Sequence, residues 1–499
     1  MVRGTLGAEF AAALHRYRDR VAVEAGGRRW TFGEVDRWSR AVAAQLQAHG
    51  VAPGDAVALH LQNGAEFVVV DVAVARLGAV KVPVNPLLPA DTVRHIVAAT
   101  RARVVVVDPA LGVELPPDVP VLLVDELATD GAPELPALSI GSDARAAIYF
   151  TGGTTGRPKG VVHTQASAVA VQYAQLLEAE IVQDDRLLLT TPLAHAAGLF
   201  AQSALLRGAT SVIEPGFDAD RVLAALRDRG ITWTFLVPTM LYRLLDVVGA
   251  VDGPEDLGLR TVVYGAAPIT PGRLARALEV FGPVFVQLYG QTECPNWGTR
   301  LAKDDHDPAR PDLLDSCGRA SIMADVAIVD ERFAPLPAGD TGEVCLRSPY
   351  VLEGYLDDPS ATADEFLPGG WIRTGDVGFL DEAGYLHLRD RHADMVISGG
   401  MNVYCREVEN VLAEHPSVSQ VAVIGVPHDD WGEAVHAVVV AAGAADRDAI
   451  VTWSRGRLPA YARPKSVELV DDLPVTPFGK VDKKVLRAPH WAGRDRAIG

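Results

Sequence analysis

Tyr149–Thr164 reads YFTGGTTGRPKGVVHT, and the reading of this stretch decides the fold. Ahead of it, Ala146–Phe150 is a short apolar run of strand type. Behind it, Gln165–Glu178 carries the apolar spacing of a helix, with Thr164 placed to cap it. Between them stand Gly152, Gly153, Gly156 and Gly160, the donors Thr151, Thr154, Thr155 and Lys159, and one proline. Glycines let backbone N–H groups approach an anion, hydroxyls donate to phosphate oxygens, and lysine supplies charge. The stretch therefore reads as a phosphate-binding loop. It is not the ordinary P-loop, because Pro158 separates glycine from lysine and Gly160 stands where Ser or Thr would follow.

A chain of 499 residues is too long for one core and implies two to four domains. With 48% hydrophobic and 22% charged residues it is of ordinary globular type. The 46 basic against 64 acidic residues give −18, which argues against a nucleic-acid partner. Cys294, Cys317, Cys345 and Cys405 lie far apart without metal-ligand spacing, as for reduced thiols. The opening MVRGTLGAEF lacks the apolar run of a signal peptide, and the apolar stretch Phe67–Val80 is broken by Asp71 and Arg76. The expectation is a soluble, cytoplasmic protein without a membrane span.

Working outward, helical periodicity over Thr31–Gly50 is followed by a strand at Ala56–Leu61, a helix at Ala65–Gly78 and a strand at Ala79–Val84. Arg103–Val107 and Val121–Val124 continue this rhythm, which predicts a doubly wound, mostly parallel sheet. In the centre, IYF-TGG, LLLT-TPLAH, FLV-PTM, VVY-GAAP and VQLY-GQTE each pair a short apolar strand with a polar or glycine-bearing loop. Ligands in open α/β sheets bind beyond the carboxyl ends of strands, so five such ends from adjacent strands are expected to converge on one crevice. Thr270-Pro271 opens a helix.

From about Ser316 the texture is of short strands and turns, a small β-rich subdomain over residues 316–389. After Arg391 it becomes mixed, with a helix over Cys405–His415, strands at Val418–Val426 and Val435–Val440, and a helix over Asp446–Leu458. The domain boundary is placed near Asp390, giving units 1–389 and 390–499.

Several loops carry chemistry. In Tyr289-Gly290-Gln-Thr292-Glu293, a lone Glu is usually a solvated carboxylate. At the mouth of a crevice facing a triphosphate it suits Mg²⁺, which favours a few carboxylates plus phosphate oxygens. Tyr264-Gly265-Ala266-Ala267-Pro268 reads alone as a tight strand-to-helix turn. Asp376 in WIRTGD, which sits before a strand, is a turn residue or an acceptor for two ribose hydroxyls. Lys480 in LPVTPFGK is by base rate a surface charge. Ser398-Gly399-Gly400-Met-Asn-Val-Tyr404 is a glycine-rich turn before a helix.

Together these six motifs, which follow the expected order along the chain, resemble the adenylate-forming superfamily of acyl-CoA synthetases, amino-acid adenylation domains and beetle luciferases. The resemblance covers nearly the whole chain and is of acyl-CoA synthetase (fatty-acid or aryl-acid CoA ligase) type. It implies an α/β fold. A large N-terminal domain would hold doubly wound α/β subdomains and a small β-barrel-like subdomain, followed by a smaller, mobile α+β C-terminal domain. It also implies roles. Thr151, Gly152, Gly153, Thr154, Thr155, Gly156 and Lys159 would hold the β- and γ-phosphates of ATP. Glu293, with Thr151, would hold Mg²⁺, Thr292 would bond the α-phosphate, and Tyr289 beside Gly290 would pack on adenine. Gly265, Ala266 and Ala267 would form an adenine face and one acyl-pocket wall. Asp376 would take the ribose, and Arg391 would reach ribose and phosphate. Lys480 would swing in to bridge carboxylate and α-phosphate, where a cation offsets the repulsion of two anions. Ser398, Gly399 and Gly400 would line the pantetheine tunnel of coenzyme A. One departure stands out: in the pattern Arg-x-[Asp/Lys]-Asp the hinge position is Ala393, so the hinge side chain is missing.

The stretch matching the substrate site, TPLAHAAGLF at Thr191–Phe200, lacks the Asp that answers an amino-acid ammonium, which points to an uncharged acid tail. His195 resembles the pocket histidine that gates the acyl tunnel, with a packed core histidine as the other reading. Ala196, Ala197 and Gly198 leave room there, and Trp297 is placed to close the pocket. The first reading is an ATP-dependent acyl-CoA synthetase for a fatty or aryl acid, using ATP, Mg²⁺ and coenzyme A, as a monomer or homodimer. The alternative is a stand-alone adenylation enzyme passing its adenylate to a carrier-protein thiol or another nucleophile. Ala393 favours the alternative and the SGGMNVY loop opposes it. A non-catalytic binding protein is the third reading, opposed by Glu293, Lys480 and the phosphate loop.

Overall fold

A computed structural model describes residues 4–117, 119–131, 140–151, 158–249, 257–391, 394–428, 430–476 and 481–492. The loop residues Gly152, Gly153, Thr154, Thr155 and Gly156, together with Ala393 and Lys480, lie outside the described residues.

Two large sheets make the N-terminal part. The nine-stranded sheet runs in the order Arg319–Ala320, Cys294–Leu301, Phe285–Gln291, Thr261–Gly265, Trp233–Leu236, Arg186–Leu189, Thr210–Ile213, Val21–Ala25 and Arg28–Thr31. Its central strands are parallel and its edges antiparallel. The seven-stranded sheet runs Gly354–Tyr355, Lys159–Thr164, Arg145–Thr151, Val80–Pro83, Ala56–His60, Val104–Val107 and Val121–Leu123. Helix Ala65–Leu77 is apolar on almost every side because it lies in the main core, with Val69, Val70 and Val72 at 0% exposure. Helix Phe32–Ala48 starts on a capping box between Thr31 and Glu34.

The doubly wound expectation holds, with three corrections. Lys159–Thr164 is a strand, since its Val161-Val162 run packs into the sheet with Thr151 opposite Lys159, so residues 152–157 join two antiparallel strands. The five strand ends do not belong to adjacent strands of one sheet. Four are neighbours in the nine-stranded sheet, whereas Arg145–Thr151 belongs to the other, so the crevice is a seam between sheets. The region 316–389 is not self-contained either: Arg319–Ala320 extends the nine-stranded sheet and Gly354–Tyr355 pairs with Val161–Val162. The remainder of that region forms its own antiparallel sheet from Asp325–Val329, Gly342–Arg347, Phe366–Leu367, Trp371–Leu380 and Leu386–Arg391.

The smaller C-terminal part has a sheet of Val396–Ser398, Met401–Val403, Val418–His428, Gly432–Ala441 and Ser466–Val470. Helix Cys405–Ala413 covers it and reaches the N-terminal part, where Asn410 donates to Asp315 at 3.2 Å and Arg406 pairs with the same carboxylate at 3.7 Å. The second helix is shorter than its periodicity predicts, Arg447–Trp453, capped by Asp446.

Candidate active site

Four strand ends and one turn build the site. Strand Phe285–Gln291 carries Tyr289 to the seam, and a sharp turn into Cys294–Leu301 presents Thr292 and Glu293. Gly290 is required there, because a Cβ would lie 2.7 Å from the Cys294 carbonyl oxygen. Asn296 in the same hairpin adopts φ +63°.

Glu293 is 8% exposed and its Oε1 accepts the Tyr355 hydroxyl at 2.9 Å. Lys159, at the far end of the phosphate loop, places its ammonium 5.1 Å from the Tyr355 ring centroid. Burial, and then the charge of Glu293, push the Glu365 carboxyl up to about 7. One buried and one half-buried carboxylate, beside a lysine and a phosphate-type loop, fit a divalent cation, which favours carboxylate and phosphate oxygens. An open cavity of about 400 Å³ adjoins this group, lined by Lys159, Tyr355, Glu365 and Arg373 among others. The sequence alone singles out neither Tyr355 nor Glu365. Both arrive through the Gly354–Tyr355 pairing, a long-range event without a local motif.

The Thr292 carbonyl is bonded to His163 Nε2 at 2.9 Å. Burial holds the His163 imidazole down at about 4, so the ring is neutral and donates this hydrogen bond. It ties strand Lys159–Thr164 to the turn of the other sheet.

Asp376 does not sit before a strand but within one, Trp371–Leu380, paired directly with Arg391 on Leu386–Arg391. Its Oδ2 accepts the Tyr289 hydroxyl at 2.7 Å, and its Oδ1 lies 3.2 Å from Arg391 Nε. The Asp376 carboxylate is the leading cause that holds the Arg391 guanidinium above its usual range. Three expected residues thus form one contact group.

Gly265 ends its strand against Leu288, where a Cβ would lie 2.3 Å from the Leu288 carbonyl oxygen. The next residue, Ala266, is exposed at φ +64°, a backbone state a non-glycine residue holds only at a cost, as is common where backbone faces a ligand. Ala267 follows it, half-buried. His195 stands at the start of helix Ala196–Arg207, half-buried, with Nε2 3.0 Å from the Asn85 amide nitrogen. Trp297 is fully buried and its indole N–H donates to Gln175 at 3.3 Å. All four cysteines are buried free thiols, and burial pushes the Cys294 thiol up to about 12.

Ser398, Gly399 and Gly400 lie apart from this group, in the C-terminal sheet. Gly399 at φ +60° and Gly400 at φ +79° make the two-residue turn between Val396–Ser398 and Met401–Val403, a geometry that requires positive φ at both positions. Helix Lys483–Arg487 follows Lys480 in sequence. Lys483 pairs with Glu409 at 2.7 Å and Arg487 with Asp394 at 2.6 Å.

Comparison with known proteins agrees along the chain. The AMP-binding enzyme family matches residues 10–356 and the AMP-binding enzyme C-terminal domain matches residues 407–480. The medium/long-chain-fatty-acid–CoA ligase FadD8 of Mycobacterium tuberculosis is 37% identical, with 98% of this chain and 90% of that protein covered. A feruloyl-CoA synthase of an Amycolatopsis species is 37% identical over 93% of this chain and 95% of its own. The amide bond synthetase McbA of Marinactinospora thermotolerans superposes with a TM-score of 0.85 at 36% identity, covering 96% and 99% of the two chains.

Proposed function

The chain belongs to the AMP-binding enzyme family, and from that premise we propose that it is an ATP-dependent acyl-CoA synthetase acting on a fatty or aryl carboxylic acid. The acid's carboxylate oxygen attacks the α-phosphorus of ATP, forming acyl-AMP and expelling pyrophosphate. The coenzyme A thiol then attacks the acyl carbonyl, forming the thioester and expelling AMP. One uphill condensation becomes two feasible displacements, and no protein nucleophile is used. The buried, high-pKa thiol of Cys294 agrees with that.

The observation that carries the reading is the continuity of contacts across the seam. Lys159 and Tyr355 stand on one side of it, Tyr355 meets Glu293 across it, and the backbone from Glu293 back to Tyr289 leads on to Asp376 and Arg391. In this proposal Thr151, Lys159 and the glycines between them hold the β- and γ-phosphates, and Thr292 orients the α-phosphate. Asp376, held by Tyr289 and Arg391, accepts the ribose hydroxyls, and the turn at Gly265–Ala267 faces adenine. Mg²⁺, held by Glu293 with Thr151, would neutralise charge on the departing pyrophosphate. Lys480 offsets the repulsion between carboxylate and α-phosphate. His195 gates the acyl pocket, and the Ser398–Gly400 turn receives pantetheine once the C-terminal unit, taken to begin at Asp390, rotates.

Among the described residues no helix is long and apolar enough to cross a membrane. Together with the free cysteines this supports a cytoplasmic location. A second reading is favoured by one observation: McbA, so similar in fold, is an amide bond synthetase. Under it the adenylate passes to a carrier-protein thiol or an amine. Pyrophosphate release over fatty, aryl and amino acids, with and without coenzyme A, tests both. Release coupled to acyl-CoA formation supports the synthetase, and release without thioester formation supports the second reading.

A further inference from the structure

Beside His163, whose Nε2 bonds the Thr292 carbonyl, lies a partly enclosed cavity of about 20 Å³, room for one water-sized group. Tyr149 and His163, from the strands flanking the phosphate loop, line one side. Pro295, two residues beyond Glu293, and Leu199, on the helix that His195 begins, line another. On the synthetase reading an acyl tail attached at the Thr292 end runs into this space. Lys81 and Gln202 line it as well, with the Lys81 ammonium 5.7 Å from the Tyr149 ring centroid.

Those two belong to an unbroken chain of buried hydrogen bonds. Lys81 pairs with Asp71 Oδ2 at 2.9 Å, and Gln202 donates to the same oxygen at 2.8 Å. Gln172 donates to Gln202 at 2.8 Å, Ser203 to Gln172 at 2.6 Å, and Gln175 to Ser203 at 2.9 Å. Asn296 and Trp297 then both donate to Gln175, at 2.6 and 3.3 Å. Every member is 8% exposed or less. The chain ties three helices and two strands together behind the cavity.

Walls of different kinds yield differently. Leu199 is a flexible apolar side chain that can repack around an apolar guest. Passing Lys81, Asp71 and Gln202 would separate a buried ion pair and strip bonds from amides that no water reaches. The pocket can widen near its mouth but cannot lengthen.

We infer that this buried polar chain is the floor of the acyl pocket, and that the enzyme activates compact acids (aryl acids and short alkyl acids) while excluding long unbranched fatty acids. This rests on the synthetase reading and names its substrate class.

The test is pyrophosphate release by the full-length protein with benzoate, 4-hydroxycinnamate, hexanoate and palmitate. Wild type should favour the best compact acid over palmitate by roughly 100-fold or more in kcat/KM. Gln202→Ala should raise the palmitate-to-compact ratio by about tenfold. Should Gln202→Ala fail to fold, the double variant Asp71→Leu/Lys81→Met decides, because apolar groups of similar volume commonly replace a buried ion pair without loss of stability. Palmitate turned over as well as the compact acids overturns the floor and leaves the synthetase reading standing. So does an unchanged ratio in a folded variant. Release with no acid at all overturns both.

Discussion

The Tyr355 hydroxyl donates to Glu293 at 2.9 Å, although the two residues lie on different sheets and 62 positions apart. Glu293→Gln keeps the shape and removes the charge. Adenylation should fall on the order of 100-fold, and the rate should cease to respond to Mg²⁺ titration. Tyr355→Phe removes this one donor from the carboxylate, and the Mg²⁺ concentration for half-maximal rate should rise about tenfold. An unaltered metal titration in Glu293→Gln would remove that residue from the metal site.

Asp376 receives both Tyr289 and Arg391, so its carboxylate is oriented before nucleotide arrives. A hydrogen bond to a charged group is worth about 1.5–3 kcal/mol. Asp376→Ala should therefore raise the KM for ATP by roughly 10- to 100-fold. Tyr289→Phe should do so more weakly, and the KM for the acid should stay constant in both. Initial-rate kinetics with each substrate varied in turn provides the check.

Lys480→Ala should cut pyrophosphate release by roughly 100- to 1000-fold while sparing thioester formation from supplied acyl-adenylate. Equal loss of both half-reactions would contradict a role confined to the first. Ala393→Asp should alter thioester formation more than adenylation, read by the same two assays.

Acid should destabilise the protein through two imidazoles. Burial depresses both His163 and His306 to about 4, against 6.5 for the free side chain. At these two positions the unfolded chain therefore binds more protons than the folded chain between these values, so their contribution to stability falls as pH drops from about 6.5 towards 4, opposite in sign to that of Glu365, whose carboxyl is raised to about 7. Thermal unfolding of wild type and His163→Gln, followed from about pH 7.5 down to about pH 5, should show this contribution as a difference between the two. His163→Gln, which can still donate to the Thr292 carbonyl, should lose less stability than wild type as pH falls; identical pH dependence would mean that His163 titrates alike in the folded and unfolded chains.

Much of the proposed nucleotide site could be put forward from the sequence because its residues come in short contiguous strings. Thr292 and Glu293 follow an apolar strand, and Asp376 follows its glycine, so local pattern and chemistry coincide. The seam between sheets was not legible. Arg145–Thr151 has the same apolar texture as Arg186–Leu189, and only strand pairing assigns them to different sheets. Tyr355 and Glu365 were missed for the same reason. Asp71 stood out in the sequence as an interruption of an apolar run, but its partners Lys81 and Gln202 lie 10 and 131 positions away. Helix periodicity told where the second C-terminal helix begins and overstated its length, since Ser454 turns back to the Val451 carbonyl instead of continuing.

The pairing of Arg487 with Asp394 bears on timing. Asp394 immediately follows the proposed hinge position, and Arg487 sits on the short helix just beyond Lys480 in sequence, itself pinned by Lys483 to Glu409. Two ion pairs thereby tie the helix that follows Lys480 in sequence to Glu409 and to Asp394. On the proposed rotation, a helix so tied travels with its domain, and the interval between the two half-reactions should scale with solvent viscosity as for a rotating body.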